Sequence, residues 1–310
     1  MMPPNLRQDE TKTVKSPTIF LYSILGLACL ALVSSCQKAK DNKDGMVPKV
    51  EFDVPYVPNS KLKSQTLDLL IPPNKSGDKI PVVVWIHGGA WEGGDKRPAP
   101  APELVQRGIA VAAINYRLSG EAPFPAQIHD CKAAVRFLRA NAQKYNLDPD
   151  KIGVWGMSAG GHLAALLGTS GGDKSLEGDG GNPNQSSKVQ AVCDWCGITD
   201  IDKLSRKNWT KGSTFYKLFG GSRDDNLEKV KLASPVKHVT SDDPPFLIMH
   251  GDSDKTVSIL QSEELKQALD AAGVKCDFEI VKNGQHFFFE PNELKRVANF
   301  FQSQFSKTSE

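Results

Sequence analysis

The chain has 310 residues, of which 39% are hydrophobic and 24% are charged, and its formal net charge is +2 at pH 7. This composition is ordinary for a globular protein, and the length suits one substantial α/β domain. Lysines and acidic residues are scattered along the whole chain and form no basic stripe that would follow a phosphate backbone. The sequence therefore predicts no nucleic-acid partner.

The N-terminal segment has the pattern of a secretory signal. A polar start that carries Arg7, Lys12 and Lys15 precedes a nearly continuous apolar run over residues 19–33. This run is shorter than the roughly 20 residues of a membrane-spanning helix, and it ends in small residues, as cleavage sites do. The sequence therefore predicts export.

The end of this segment, Val33-Ser34-Ser35-Cys36, resembles a bacterial lipobox, in which the cysteine becomes the lipidated first residue of the mature chain. We expect residues 1–35 to be a lipoprotein-type signal, Cys36 to carry the lipid, and residues 36–49 to be a tether. The protein would then be held on a bacterial membrane, in the periplasm or at the cell surface. A plain signal peptide or an uncleaved anchor is the alternative.

Residues 50–310 alternate between apolar runs typical of buried parallel strands and segments with helical periodicity. Strands are expected at residues 65–71, 81–86, 109–114, 152–155, 189–196, 246–249 and 275–281, and helices at residues 125–145, 158–167, 258–272 and 292–305. This alternation predicts right-handed crossovers and a three-layer α/β sandwich around a mostly parallel sheet. Active sites in such sheets lie at the carboxyl ends of the strands.

Two segments interrupt the alternation. Residues 171–187 are rich in glycine, aspartate and asparagine, which favours an exposed loop. Residues 200–245 are mostly polar with a few aromatic residues in the middle, and we expect a small helical excursion over the site.

A nucleophile-elbow pattern, Gly156-x-Ser158-x-Gly160, lies between an apolar strand and a small-residue helix. Its glycines leave room for a tight strand-to-helix turn that exposes the serine hydroxyl at a helix N-terminus, where a developing anion is favoured. The pattern alone is weak, because a loop that ends a buried strand can contain the same residues. A base, an acid and an oxyanion hole are needed to support it.

The base and the acid follow the serine in the order that an elbow serine requires. Of six histidines, His286 alone lies on a loop just past a late strand. Asp254 follows the end of a buried strand, where a carboxylate can accept a hydrogen bond from the imidazole and fix its tautomer. Asp252 is interpreted as a turn former, and Asp200 is a weaker alternative acid.

The oxyanion hole is expected in the sequence HGGAW, which follows the apolar strand that ends at residue 86. Backbone N–H groups of Gly88 and Gly89, or of Gly89 and Ala90, would act together with the N–H of Ala159, the residue after the nucleophile. The sequence leaves the choice between these two pairs open.

The four cysteines of residues 50–310 are not expected to form a disulfide framework. Cys193 and Cys196 have CxxC spacing, but they lie in an apolar strand without a second cysteine pair or a nearby histidine, so they are interpreted as core residues. The sequence predicts neither a metal site nor an organic cofactor.

Five motifs together resemble the α/β-hydrolase branch of bifunctional feruloyl and acetylxylan esterase-like proteins: HGGAW at 87–91, NYRLS at 115–119, FPAQIHD at 124–130, GMSAGGH at 156–162 and HGxxD at 250–254. The resemblance spans nearly all of the chain after the signal. It implies an α/β-hydrolase fold and a serine carboxylesterase that cleaves acetyl or feruloyl esters on plant polysaccharides such as xylan.

The chain departs from this family at two positions. Ser258 replaces a frequent proline, which we expect to be harmless, and Phe287 replaces a frequent glycine after the histidine. Together with Phe288 and Phe289, Phe287 is expected to reshape the pocket wall.

Trp91, Tyr116 and Phe287 are the candidate substrate contacts, although each aromatic residue could equally serve packing. An arylformamidase-like or peptidase-like serine hydrolase would use the same triad. A non-catalytic surface binding protein on a hydrolase scaffold is the second alternative. The sequence leaves the oligomeric state and the acyl and sugar specificity open.

Overall fold

The structure is a computed structural model that describes residues 47–74 and 76–306. The expected signal, Cys36 and most of the expected tether lie outside the described residues. The first strand begins at Lys49, the last residue of the expected tether.

A single sheet of eight strands runs through the described chain, in the order β1-β2-β4-β3-β5-β6-β7-β8. Its strands β3 to β8 are parallel, whereas β2 is antiparallel to both β1 and β4. The strands are β1 Lys49–Pro55, β2 Thr66–Ile71, β3 Ile80–Ile86, β4 Ala110–Ile114, β5 Leu147–Met157, β6 Ala191–Trp195, β7 Phe246–Gly251 and β8 Cys276–Val281. All seven predicted strands are present, and β1 was not predicted.

The α-helices are α1 Pro102–Gln106, α2 Ala126–Ala140, α3 Ala142–Tyr145, α4 Ala159–Thr169, α5 Thr214–Phe219, α6 Leu227–Leu232, α7 Leu260–Ala271 and α8 Pro291–Phe305. Short 3-10 helices cover Lys63–Gln65, Lys174–Leu176, Arg206–Trp209, Asp224–Asn226 and Pro235–Lys237. The single helix predicted at residues 125–145 is divided at Asn141, where the backbone leaves helical geometry with a φ of −104° and a ψ of 13°. The backbone N–H and the side-chain amide of Asn141 both donate to the carbonyl of Phe137, at 3.0 and 2.9 Å. Among the described residues, every helix is too short or too polar to cross a membrane.

The apolar side chains of the parallel strands divide between two cores, because successive residues of a strand face opposite sides of the sheet. Val82 and Val84 lie in the core that contains buried residues of α2, α4 and α7. Val83 and Trp85 lie in the other core, beneath α1 and α8. The predicted three-layer sandwich is therefore confirmed.

The loop over residues 171–187 is held against the fold more firmly than its composition indicated. Glu177 accepts hydrogen bonds from Lys132 at 2.9 Å, Arg136 at 2.8 Å and Ser187 at 2.7 Å. Both cations project from α2 and are almost fully buried. Most residues of the loop are exposed or half-buried, as expected, but Glu177 anchors the loop to α2, because two buried positive charges require a carboxylate partner.

Residues 200–245 form the predicted helical excursion, which we call the cap. Three of its aromatic residues pack together: the ring of Trp209 lies 5.4 Å from that of Phe215 and 5.1 Å from that of Phe219. All three are buried. The cap is therefore packed onto the domain through an apolar interior.

Replacing Glu177 with glutamine should destabilise the protein, because Lys132 and Arg136 would lose their charged partner while remaining buried. We expect a loss of about 2–3 kcal/mol, below the largest values for buried pairs, because the Glu177 side chain is 30% exposed. Chemical denaturation measures this loss. Asp242→Asn is the control, because the pair of Asp242 with Lys188 is exposed on both sides; equal unfolding midpoints for the two variants would contradict this account.

Candidate active site

The elbow serine lies on a turn that only close backbone contact can form. Ser158 has a φ of 58°, a conformation that costs a non-glycine residue free energy unless the surroundings enforce it. A Cβ atom at Gly156 would overlap the carbonyl of Gly160, and one at Gly160 would overlap the carbonyl of Ile86. The N–H of Ser158 donates to the carbonyl of Trp195 at 2.8 Å. Strands β3, β5 and β6 together fix the turn.

The three side chains predicted as a triad meet at the carboxyl edge of the sheet. Nε2 of His286 lies 2.9 Å from Oγ of Ser158, and its Nδ1 lies 2.7 Å from Oδ2 of Asp254. A carboxylate only accepts hydrogen bonds, so Nδ1 carries the proton and Nε2 is the acceptor for the serine hydroxyl. The imidazole therefore has the tautomer of a general base.

Asp254 is held as a carboxylate by the donors around it. Its Oδ1 accepts from the N–H groups of Thr256 at 2.7 Å and Val257 at 3.0 Å, while His286 donates to Oδ2. Burial raises the pKa of Asp254, but these hydrogen bonds outweigh burial, and the net pKa lies below its usual value. Asp254 is thus ionised and fixed in orientation at neutral pH.

His250 is a supporting residue that the sequence did not single out. Its Nε2 lies 3.0 Å from the carbonyl of Val257 and 3.2 Å from Oδ2 of Asp254. Both partners only accept, so Nε2 carries the proton, and Nδ1 accepts from the hydroxyl of Ser262 at 2.7 Å. Burial lowers the pKa of His250, which keeps the ring neutral. The HGxxD motif, which begins with His250, was the sequence signal that could have identified this residue.

The two alternative acids lie elsewhere. Asp252 is exposed at the turn after β7. Asp200 is buried, and its carboxylate lies 3.5 Å from the amine of Lys203 and 3.8 Å from that of Lys237. Asp254 is the carboxylate hydrogen-bonded to His286.

The predicted oxyanion-hole residues adjoin the nucleophile. A Cβ atom at Gly88 would lie 3.2 Å from Cβ of Ser158, so the backbone of the loop passes directly beside the serine. Within residues 47–74 and 76–306, the N–H groups of Gly88, Gly89, Ala90 and Ala159 donate no hydrogen bond. These groups are therefore available to bind an oxyanion.

Two of the three predicted substrate contacts are core residues. Trp91 and Tyr116 are each 1% exposed. The hydroxyl of Tyr116 donates to the carbonyl of His87 at 3.0 Å, and its ring stacks on the His87 ring at 4.5 Å. Trp91 packs against the ring of Phe215 in the cap, 5.8 Å away. The expectation of direct substrate contact is wrong for both, because neither side chain has a surface to offer.

Of the three phenylalanines that follow His286, one is exposed beside the site and two pack against the core. Phe287 is 51% exposed, and its ring lies 5.2 Å from that of His286. Phe288 and Phe289 instead pack on Trp195, at ring distances of 4.7 and 5.2 Å. Only Phe287 of the three is placed beside the site with an exposed face, so the expected pocket wall of three phenylalanines is wrong.

A thiol lies beside the triad. Ligand atoms of Cys196, Asp254 and His286 lie within 4.8 Å of one another. Burial raises the pKa of the Cys196 thiol well above its usual value, and a protonated thiol is a poor metal ligand. The other two groups already bond to each other. Cys193 and Cys196 are buried and free, which confirms their interpretation as core residues.

Asp194, between these two cysteines, is a buried acid that the sequence analysis overlooked. Its Oδ1 accepts from the N–H of Gly197 at 2.9 Å, whereas its Oδ2 has no partner among the described residues. A Cβ atom at Gly161, in the first turn of α4, would overlap Oδ1. Burial raises the pKa of Asp194 to about 7. A carboxyl group that is partly protonated at neutral pH therefore lies behind the elbow.

The fold and this geometry define an α/β-hydrolase. A serine at a strand-to-helix turn, a histidine after the last strand and an aspartate after the strand before it follow the order found in that class.

Comparison with known proteins agrees with this class and narrows it. Residues 67–269 match the BD-FAE family model. A truncated carbohydrate esterase from gut microbiota has 34% sequence identity and a TM-score of 0.77, and the match covers 86% of this chain and all of that one. A bifunctional GH43-CE protein of Bacteroides eggerthii has 38% identity and a TM-score of 0.77, over 86% of this chain and 36% of that one.

Among curated proteins, the esterase LipQ of Mycobacterium tuberculosis is 34% identical over 76% of this chain and 56% of its own length. The chain spans about half the length of the curated relatives LipQ, LipM and LipC of Mycobacterium tuberculosis. The protein belongs to the BD-FAE family of α/β-hydrolases.

Asp194 should make stability depend on pH. Its pKa is about 7 in the folded protein, compared with 3.8 for an aspartate in water. Between pH 3.8 and pH 7 the folded protein therefore binds the proton more strongly than the unfolded chain does, and the free energy of unfolding falls as pH rises. The loss is at most about 1.4 kcal/mol per pH unit, reaches its full value above pH 7 and is absent below pH 4. Asp194→Asn removes it.

Thermal unfolding of the parent and of Asp194→Asn at pH 5 and pH 8 measures this effect. The variant should gain stability relative to the parent as pH rises, whereas Asp252→Asn, which changes an exposed carboxylate, should follow the parent. A difference between the parent and Asp194→Asn that stays constant from pH 5 to pH 8 would show that Asp194 does not titrate in this range.

Proposed function

We propose that this protein is an exported serine carboxylesterase in which Ser158, His286 and Asp254 are the catalytic triad. The observation that carries the proposal is the hydrogen-bonded chain of 2.9 Å and 2.7 Å that joins the three side chains beside unpaired backbone donors. Esterases among the relatives support it.

The first half-reaction acylates the serine. Nε2 of His286 takes the hydroxyl proton of Ser158 while Oγ attacks the ester carbonyl, and the carbonyl oxygen becomes an oxyanion. The ionised Asp254 stabilises the imidazolium that forms. N–H groups of Ala159 and of the loop at Gly88 bind the oxyanion, and His286 then returns the proton to the departing alcohol.

The second half-reaction releases the acid. Water loses a proton to His286 as its oxygen attacks the acyl-enzyme, and the same N–H groups bind the second oxyanion. When this intermediate collapses, Ser158 regains its proton from the imidazolium. The residues in place supply every proton transfer that the two steps require.

For the substrate we propose acetyl or feruloyl esters on plant polysaccharides such as xylan. The match to a carbohydrate esterase over all of that chain supports this class. The exposed ring of Phe287, beside the base, is the proposed contact for the sugar or the acyl group. An apolar ring face suits stacking against either one.

Ser158→Ala should lower kcat/KM for 4-nitrophenyl acetate by about 10⁴-fold or more, because the acyl-enzyme can no longer form. Ser253→Ala, which removes an exposed hydroxyl two residues after the end of β7, is the control and should retain parental activity. Acetate release from acetylated xylan and turnover of methyl ferulate, formylkynurenine and peptide anilides are measured with the same three proteins.

Each outcome of this panel has a meaning. Polysaccharide or feruloyl ester turnover that depends on Ser158 supports the proposed substrate class. Faster turnover of formylkynurenine or of an anilide would assign the triad to an amide bond instead. Unchanged ester hydrolysis in Ser158→Ala would contradict the triad itself.

We also propose that the protein is held on a bacterial membrane by a lipid on Cys36, on the sequence pattern alone. Cys36→Ser should abolish lipid attachment and move the protein from the membrane fraction to the soluble fraction. Metabolic labelling with a palmitate analogue, with and without globomycin, measures attachment and processing. Equal labelling of the parent and Cys36→Ser would contradict the lipoprotein assignment.

A further inference from the structure

His162 is a buried histidine of the elbow motif that the proposed mechanism does not use. It lies in the first turn of α4 and is fully buried. Nδ1 lies 3.2 Å from the indole Nε1 of Trp91, and Nε2 lies 2.7 Å from the carbonyl oxygen of Ala233. The ring therefore joins three separate parts of the chain: the oxyanion loop, the nucleophile helix and the cap.

The partners of His162 fix its protonation. An indole N–H only donates and a carbonyl only accepts, so Nδ1 has a free lone pair and Nε2 carries the proton. Burial lowers the pKa of His162 to about 4, and the neutral ring is therefore the form present at ordinary pH. A protonated Nδ1 could not accept the Trp91 hydrogen bond.

The loop that contains Trp91, the partner of His162 Nδ1, has a strained backbone. Gly89, Ala90 and Trp91 have φ values of 115°, 54° and 57°. Alanine and tryptophan rarely adopt this left-handed conformation, which persists only where the surroundings enforce it. Apart from that of Ala159, the free N–H groups that would bind the oxyanion belong to the segment that ends at Trp91, so contacts that hold Trp91 also restrain the direction of these groups.

The contacts of Trp91 supply the restraint. Its ring meets His162 edge to face at 5.1 Å and Phe215 of the cap at 5.8 Å. Its carbonyl accepts from the N–H of Ser119 at 2.7 Å. The next residue, Glu92, bonds to Lys217 of α5 at 2.5 Å. The loop is thus attached to the cap and to the nucleophile helix by a few directed contacts.

We propose that His162 is a positioning residue for the oxyanion hole: it accepts the indole N–H of Trp91 and donates to Ala233 of the cap, so that the loop keeps its N–H groups directed at the reacting carbonyl. The proposal rests on the proposed function. It predicts that loss of the Trp91 bond weakens transition-state binding more than ground-state binding, and so lowers kcat with little change in KM.

Two substitutions at position 162 separate the two hydrogen bonds. An asparagine side chain places its carbonyl oxygen where Nδ1 of histidine lies, and a glutamine side chain places its amide where Nε2 lies. His162→Asn therefore retains an acceptor for Trp91, whereas His162→Gln retains the donor to Ala233 and loses that acceptor. We expect kcat to fall about 10- to 100-fold in His162→Gln and less than about fivefold in His162→Asn.

Trp91→Phe removes the same hydrogen bond from the other side and keeps the ring. It should lower kcat about as much as His162→Gln does. The double variant Trp91→Phe/His162→Gln should be no slower than the slower of the two single variants, because all three proteins lose the same hydrogen bond. Trp209→Phe is the matched control, since the indole N–H of this buried cap residue has no partner among the described residues.

The experiment measures kcat and KM for 4-nitrophenyl acetate, the thermal unfolding midpoint, and the rate constant for phosphorylation of Ser158 by diethyl 4-nitrophenyl phosphate. In this reaction too, negative charge develops on an oxygen in the oxyanion hole, here the phosphoryl oxygen. The measurement does not require that the protein hydrolyse a carboxylic ester. It should slow in His162→Gln and Trp91→Phe, and remain parental in Trp209→Phe.

Two results would overturn the positioning role. One is an unchanged kcat and phosphorylation rate in His162→Gln and Trp91→Phe, with or without a lower unfolding midpoint. The other is strictly additive losses in the double variant. A parent protein that hydrolyses no ester would overturn the proposed function instead, and the phosphorylation rates would still decide the role of His162.

Discussion

The site depends on close contact between backbone segments at glycine positions, where no side chain keeps the segments apart. Gly156 and Gly160 let the end of β5 and the start of α4 touch each other and the end of β3, and the left-handed turn at Ser158 exists because of that contact. Gly88 brings the oxyanion loop beside the same serine. The proposed nucleophile and the N–H groups proposed to bind the oxyanion therefore share one backbone unit, as pre-organised stabilisation of charge requires.

Four histidines surround this unit, and their environments assign them different tasks. Burial lowers the pKa of His87, His162 and His250, and each bonds to a backbone carbonyl. These rings are neutral connectors with a fixed tautomer. His250 also contacts Asp254 and accepts from the hydroxyl of Ser262. Of the four rings, His286 is the one that accepts the hydroxyl of Ser158, and its other nitrogen donates to Asp254, so a proton taken from Ser158 meets a negative charge. The base is thus distinguished by its partners more than by its burial.

The sequence predicted the parallel strands and the triad because both leave local signals. Strands covered on two faces are apolar runs, and the residues of the triad follow strand ends in a fixed order. The edge strand β1 was missed although residues 50–54 alternate between apolar and acidic residues, because this short signal directly follows the expected tether. Trp91 was wrongly predicted to contact substrate because cap residues that are distant in sequence, such as Phe215, bury it. Residue type alone does not distinguish an aromatic residue that contacts substrate from one that packs in the core. Asp194 was overlooked because a single acid in an apolar strand has no motif.

The misplaced tryptophan changes what the cap is expected to do. An aromatic cluster over an active site suggests a substrate pocket, yet Phe215 and Trp209 are buried and the cluster packs against Trp91. Apolar surface that is already buried in packing cannot also bind a sugar or an acyl chain. The interior of the cap therefore packs against Trp91 of the loop. On the proposed function, substrate selection would fall to exposed groups around Ser158, such as Phe287 beside His286. Loss of the packing of Phe215 on Trp91 should therefore alter catalytic rate before it alters substrate preference.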